Sequence, residues 1–133
     1  MTTQSQSNNI PTAVKFFTAI LILAGCFFFY VYTFNPSLSF PAANLETYSA
    51  KMGFASTGVR ILGSVLALVI SLLTNNARWL FITLVSRIFI ELGDVVVGFN
   101  LDGITANTYA LLVLATLEIW ATLQLWKVIK HNK

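Results

Sequence analysis

The sequence predicts an all-α membrane protein, an antiparallel bundle of four transmembrane helices in one domain. Apolar residues make up 56% of the 133 residues and charged residues only 10%, a composition outside the usual range of soluble domains. Four long apolar runs account for most of the chain and leave no room for a separate soluble catalytic domain. Basic residues also concentrate in the segments that share one side of the membrane in a four-span topology.

Each apolar run is about the length that a helix needs to cross a hydrocarbon core ~30 Å thick at ~1.5 Å per residue. Thr108 and Lys127 extend the last and shortest run, because a lysine can keep its charged end at the interface while its stem stays in lipid. The predicted spans are about residues 14–34, 54–73, 79–99 and 108–127.

The segments outside the spans follow from composition and turn signals. Residues 1–11 are predominantly small, polar and uncharged, so a disordered cytoplasmic N-terminus is predicted, and residues 128–133 form a basic cytoplasmic tail. The first helix should end at Asn35, because the proline that follows disfavours helical geometry there. The outer loop 35–53 is rich in apolar residues and is either a partly helical flap over the bundle or an interfacial segment on lipid headgroups.

Orientation follows from the basic residues of the short loops. An even number of spans places the N-terminus, the link around residues 74–78 and the C-terminus on one side, and Lys51 is the only lysine or arginine of the opposite loops. Both termini are therefore predicted to be cytoplasmic, in a multi-pass protein of the inner (cytoplasmic) membrane. The formal charge of +3 then reflects contact with the lipid bilayer, and no nucleic-acid partner is predicted. The basic residues of the cytoplasmic side are Lys15, Arg78, Lys127, Lys130 and Lys133.

The third span carries three charges inside its apolar run. Arg87, Glu91 and Asp94 are separated by four and three residues, so all three lie on one face of a helix. A charge inside a bilayer costs at least ~3 kcal/mol unless it is paired or hydrated. This face is therefore expected to point into the protein or into a wet cavity.

Depth along each helix predicts which charges can meet. Arg60 lies ~9 Å below the outer end of the second span and Asp94 ~8 Å below that of the third, whereas Arg87 and Glu118 both lie ~12 Å above the cytoplasmic ends. Arg60 can therefore pair with Asp94 or Glu91, and Arg87 can pair with Glu118 or Glu91. Two arginines face three carboxylates, so one carboxylate is in surplus.

These five charges have two interpretations. They can form a closed network that holds the bundle together, since polar pairs supply association between helices in lipid. Alternatively they line a pocket for a small polar or lipid-like ligand, with Ser64 and Trp120 as candidate lining residues. The candidate network consists of Arg60, Arg87, Glu91, Asp94 and Glu118.

The remaining residue types narrow the chemistry. His131 is the only histidine and lies in the tail, and Cys26 is the only cysteine. No histidine-based haem or metal site and no redox cysteine pair can be built from them, so neither a cofactor nor a metal is predicted. Motifs for phosphate binding or nucleophilic catalysis are absent, catalytic residues are unknown, and a non-enzymatic role is favoured.

Two short motifs resemble a known family. A Gly-X-Arg motif at residues 58–60 and an Arg-X-X-X-Glu-X-Gly-Asp motif at residues 87–94 are similar to those of the DoxX-like group of small bacterial four-helix membrane proteins. The resemblance covers about residues 54–126. It implies a left-handed antiparallel four-helix bundle with charged residues buried near its outer half, and some members of the group look like quinone-linked redox subunits.

The sequence thus predicts a small integral membrane protein whose charged network forms a ligand pocket. One alternative is a subunit or accessory protein of a quinone-linked membrane redox complex, which implies a membrane-complex partner. The other is a structural or assembly protein whose charged network only stabilises the bundle. A polar pocket that touches Arg60 and Glu91 would favour ligand binding over the structural role.

Overall fold

A computed structural model of the chain describes residues 9–38 and 45–131. These residues form α-helices joined by short segments, with no strand among them, so the predicted all-α class is confirmed. A single 3-10 turn, Pro36–Leu38, follows the first helix. The four helices are α1 (Thr12–Phe34), α2 (Tyr48–Leu73), α3 (Ala77–Asp102) and α4 (Ala106–His131).

Among the residues that the structure describes, three helical segments are long and apolar enough to cross a membrane: α1, α2 and residues Thr108–His131 of α4. Helix α3 has the same 26 residues as α2 but contains Arg87, Glu91 and Asp94 within its apolar run, and it is not among the three. The architecture is thus that of a small membrane-type helical protein.

The surface of the helices is unusually apolar. Every helix exposes large apolar side chains along its length, among them Phe16, Val59, Phe89 and Val113. An apolar surface of this extent is unfavourable in water and is the surface that lipid tails solvate.

Threonine hydroxyls on these helices bond to the carbonyl four residues earlier in the same helix. Such a bond satisfies the hydrogen-bonding requirement of the hydroxyl where no water is available. A threonine can therefore lie on a helix that faces lipid. The pairs are Thr57 with Gly53 (2.9 Å), Thr83 with Trp79 (2.9 Å), Thr116 with Leu112 (2.8 Å) and Thr122 with Glu118 (2.7 Å).

The chain divides into two compact units: residues 16–70 form one, and the segment up to residue 15 together with residues 71 onward forms the other. In the first unit, α1 and α2 approach closely at two glycines. A Cβ at Gly25 would collide with the Val65 side chain, and a Cβ at Gly58 would collide with the Thr33 hydroxyl. Later positions of α1 therefore meet earlier positions of α2.

In the second unit, α3 packs along α4. The rings of Phe81 and Trp126 lie 5.6 Å apart between centroids, and the Arg87 side chain reaches Glu118. Later positions of α3 therefore meet earlier positions of α4.

The turn between α2 and α3 is built by two asparagines. The side-chain oxygen of Asn76 accepts hydrogen bonds from the backbone N–H groups of Arg78 (3.0 Å) and Trp79 (3.3 Å) and so caps the start of α3. Asn75 has a φ of +49°, a left-handed conformation that asparagine tolerates better than most residues. The short link that the sequence predicts here is a tight turn with its own cap.

The same turn holds the N-terminal segment. Asn75 accepts a hydrogen bond from the Ile10 backbone N–H (3.2 Å) and donates one to the Asn9 side chain (2.7 Å), and the Ile10 side chain is buried. The sequence places residues 9–11 in a disordered terminus, whereas two hydrogen bonds to the Asn75 side chain anchor Asn9 and Ile10 to this turn. The rest of that prediction, residues 1–8, lies outside the part of the chain that the structure describes.

Helix α2 begins earlier, and α4 ends later, than the sequence predicts. Residues 48–53, predicted as loop, are the first turns of α2, because the Thr47 hydroxyl accepts the Ala50 N–H (3.2 Å) and no helix breaker follows before Gly53. Residues 128–131 of the predicted tail continue α4, which carries Lys130 in its last turn, where a cation complements the helix dipole. Residues 39–44 of the predicted outer flap lie outside the described ranges.

Candidate functional site

Three charged side chains of the second unit form a cluster, which we call the Arg87 cluster: Arg87 and Glu91 on α3, and Glu118 on α4. The Nε of Arg87 donates to Oε1 of Glu118 at 2.6 Å, and its Nη2 donates to Oε1 of Glu91 at 3.0 Å. The side chains of Arg87 and Glu91 are each 12% exposed, and that of Glu118 is fully buried. The sequence left open which carboxylate Arg87 would meet, and the structure shows that it contacts both.

Local geometry explains why these residues meet. Glu91 follows Arg87 by one helical turn, so the two side chains leave α3 in nearly the same direction. Glu118 is within reach because the middle of α3 lies beside the middle of α4. The predicted common depth of Arg87 and Glu118 is confirmed by their ion pair.

The other side of α3 is apolar. Ile82, Phe89 and Val96 recur every seven residues and are all exposed. At ~100° per residue they lie roughly opposite the face of Arg87 and Glu91. The helix can therefore present an apolar stripe to lipid while it keeps its charges on the face towards α4.

Glu118 has one carboxylate oxygen satisfied and one not. The residue is 0% exposed, and its Oε2 makes no hydrogen bond with any group in the described ranges. Buried polar atoms nearly always have a partner, and leaving one unsatisfied costs ~1–3 kcal/mol, more for a charged group. The Oε2 atom is therefore an acceptor that requires a donor.

The cluster itself contains one guanidinium and two carboxylates. The predicted partners Arg60 and Asp94 would add one charge of each sign. The unsatisfied Oε2 of Glu118 makes an added hydrogen-bond donor complementary to the site.

The remaining predicted site residues are distributed over three helices. Arg60 is exposed and Ser64 is half-buried on α2, and Asp94 is half-buried on α3. The pairing of Arg60 with Asp94 or Glu91, which would join the two units, stays a prediction. Trp120 follows Glu118 by two residues, ~200° around α4, and is exposed, so the two side chains leave the helix in different directions.

Sequence reasoning did not identify Glu118 Oε2 as the critical atom. Charge counting indicated that one carboxylate is in surplus, but it did not indicate which oxygen atom lacks a donor. Which carboxylate oxygen is left without a hydrogen bond depends on which acceptors the Arg87 N–H groups contact. No sequence signal specifies that choice.

Comparison with known proteins identified no relative of this chain. No protein-family model matches the chain, and neither the curated proteins nor the solved structures contain a match. The resemblance to the DoxX-like group, carried by the motifs at residues 58–60 and 87–94, stays a prediction.

Proposed function

We propose that the chain is a four-span integral membrane protein in which the Arg87 cluster binds a small polar or amphipathic ligand. The observation that supports ligand binding is the Oε2 atom of Glu118, which is fully buried and has no hydrogen-bond partner in the described part of the chain. A bound molecule with a donor group would satisfy this atom.

The proposal of four spans depends on α3. At ~1.5 Å per residue its 26 residues extend ~39 Å, more than a hydrocarbon core requires. Arg87 and Glu91 are mostly buried, and the exposed stripe of Ile82, Phe89 and Val96 is apolar. Arg87 and Glu91 are thus paired and mostly buried inside the protein, so they need not prevent α3 from crossing a bilayer.

The proposed orientation has both termini in the cytoplasm, in an inner membrane. The contact of Asn9 and Ile10 with Asn75 supports one part of this topology, because it places the N-terminus at the same end as the α2–α3 turn. Arg78 and Lys127, at the start of α3 and near the end of α4, add positive charge at that end of the antiparallel pair.

The ligand needs some apolar character. The Glu118 carboxylate lies in the middle of α4, on a helix whose outer surface is lipid-like, so an incoming molecule must carry its polar group into surroundings with little water. A small amphipathic molecule meets this requirement, since its apolar part replaces contacts with lipid or core side chains.

Native mass spectrometry of the full chain, purified in nanodiscs of its native lipids, tests the ligand site. We expect a non-covalent small-molecule adduct on the wild-type protein and on Thr116→Val, and none on Glu118→Gln. Thr116 is an exposed residue of the same helix whose hydroxyl bonds only within α4, so its variant is a matched control. A wild-type protein that carries no adduct, or equal adducts on all three proteins, would contradict the proposal.

The second candidate function is purely structural, and the short Arg87–Glu118 contact favours it directly. A charged hydrogen bond of 2.6 Å between two helices supplies association that lipid cannot supply. The two functions differ in one measurable respect: a structural network needs no added molecule at Oε2.

A further inference from the structure

We infer that the end of the α3–α4 pair that carries Arg78 and Lys130 binds the phosphate headgroup of an anionic phospholipid. This inference rests on the proposed membrane topology, in which this end lies at the cytoplasmic surface, and it does not depend on the ligand proposed at Glu118. It follows from three observations: the register of α3 against α4, the charge at this end, and the exposed tryptophans beside the cations.

The ring contact between Phe81 and Trp126 sets the register of the two helices near this end, with the ring centroids 5.6 Å apart. Arg78 precedes Phe81 by three residues, and Lys130 follows Trp126 by four. Each interval is about one turn, so each cation lies on the side of its helix that carries the ring contact. Both cations are exposed and lie one turn beyond the rings, so they are neighbours across the pair.

The charge at this end has a single sign. Lys127 adds a third exposed cation, and residues 71–90 and 119–133 contain no Asp or Glu. The first acidic residues along the two helices are Glu91 and Glu118, ~18–20 Å from the cations at ~1.5 Å per residue. An anion is therefore attracted to this end, and no acidic side chain in the described part of α3 or α4 is close enough to compete with it.

Two exposed tryptophans lie beside these cations. Trp79 adjoins Arg78 and Trp126 adjoins Lys127 in the sequence, and each tryptophan is 51% exposed. Indole rings concentrate at the membrane–water interface, because one edge of the ring is polar and the rest is apolar. The cations and an exposed apolar surface thus occur at the same level along the pair.

A phospholipid supplies both groups that this surface requires. Its phosphate carries a negative charge that a guanidinium can bind through two N–H groups, and its acyl chains cover apolar rings. Nucleic acids and acidic peptides offer the anion without the acyl chains. A zwitterionic phospholipid adds a positive charge, which the cations repel. The surface therefore fits an anionic phospholipid such as phosphatidylglycerol.

Quenching of tryptophan fluorescence by brominated phospholipids measures which lipid occupies this surface. The full chain with Trp120→Phe, which leaves Trp79 and Trp126 as its only tryptophans, is reconstituted in phosphatidylcholine vesicles. Increasing fractions of phosphatidylglycerol or phosphatidylcholine, each brominated near the headgroup end of the acyl chains, are then included. We expect phosphatidylglycerol to bind about tenfold or more tightly than phosphatidylcholine, since each basic residue near anionic lipid contributes about fivefold.

Single charge variants locate the preference. Arg78→Gln and Lys130→Gln should each lower it about fivefold, and Lys130→Arg should retain it. Lys51→Gln is the matched control, because it removes one exposed lysine near the opposite end of α2 and should leave the preference unchanged. In detergent without phospholipid, all four variants should unfold at the wild-type temperature, so that a lost preference reports lipid binding and not misfolding.

The outcomes separate this inference from the proposed topology. Equal quenching by the two lipids, or equal losses in Arg78→Gln and Lys51→Gln, would overturn the lipid site while the membrane topology remains. A preference that inorganic phosphate abolishes, at an ionic strength where chloride does not, would assign the site to free phosphate and also overturn it. No quenching by either lipid would overturn the topology itself. If Trp120→Phe does not fold, the same comparisons with Trp120 in place decide between these results.

Discussion

The two compact units of this protein associate their helices by different means. In the α1–α2 unit, Gly25 and Gly58 allow close approach, because neither leaves space for a Cβ against the neighbouring helix. In the α3–α4 unit, a buried arginine bridges the helices through a 2.6 Å hydrogen bond to Glu118. Both means suit a lipid environment, in which burial of apolar surface between helices contributes little.

Each unit leaves one buried polar atom without a hydrogen-bond partner in the described residues. In the α1–α2 unit this atom is the hydroxyl oxygen of Thr33, which lies against Gly58. In the α3–α4 unit it is Oε2 of Glu118, a carboxylate oxygen beside a charged contact. An unsatisfied charged group costs more than an unsatisfied hydroxyl, which is why the ligand site is proposed at Glu118.

The largest expected effect is a difference in thiol labelling between the two ends of α3. If α3 spans the membrane, a reagent outside the cell reaches only one end. In a Cys26→Ser background, Thr74→Cys and Ile104→Cys place single thiols just before and just after α3. We expect a membrane-impermeant maleimide to label Ile104→Cys in intact cells and Thr74→Cys only after lysis. Labelling of both positions from the same side would show that α3 does not cross.

A charge variant should produce the next largest effect. Arg87→Met removes the guanidinium that contacts both Glu91 and Glu118, and breaking a buried ion pair costs about 3–5 kcal/mol. Thermal unfolding in detergent should therefore occur at a clearly lower temperature.

Arg78→Met is the matched control for this variant, because Arg78 is an exposed arginine of the same helix. Adding Glu118→Gln to Arg87→Met should recover part of the loss, since it removes the buried charge that was left unpaired. Strictly additive losses in the double variant would be evidence against a direct energetic coupling.

A variant that adds side-chain volume between α1 and α2 should lower stability by a smaller amount. Gly25→Ala places a methyl group against the Val65 side chain, and overpacking of this kind costs about 1–3 kcal/mol. Gly63→Ala is the control, because nothing lies near that position, and it should be neutral or stabilising. Equal stability of the two variants would show that the close approach of α1 and α2 is unimportant.

The smallest effect is expected at the turn that holds the N-terminus. Asn75→Gly keeps the left-handed conformation but removes the side chain that bonds to Asn9 and Ile10, with a loss of about 1 kcal/mol. Hydrogen exchange at the Ile10 amide should become faster. Asn100→Ala removes an exposed bond to Val96 and should leave exchange at Ile10 unchanged.

Local sequence signals determined the helices and the polar face of α3. Apolar runs of sufficient length predict α1 to α4, since a helix is the simplest way to satisfy backbone groups in lipid. The spacing of Arg87 and Glu91 predicts their common face, and equal distances from the helix ends predict the contact of Arg87 with Glu118. These features depend only on rise and rotation per residue, which are the same in every α-helix.

Tertiary structure decided which atoms meet. Glu91 is reached within α3, one turn from Arg87, but the packing of α3 against α4 selects Oε1 of Glu118 as the partner across the pair. The same holds for the anchoring of Ile10 by Asn75, a contact between residues 65 positions apart in the chain. Sequence spacing specifies the direction of a side chain, but the choice among chemically equal partners depends on distances of a few ångströms between helices, which only packing sets.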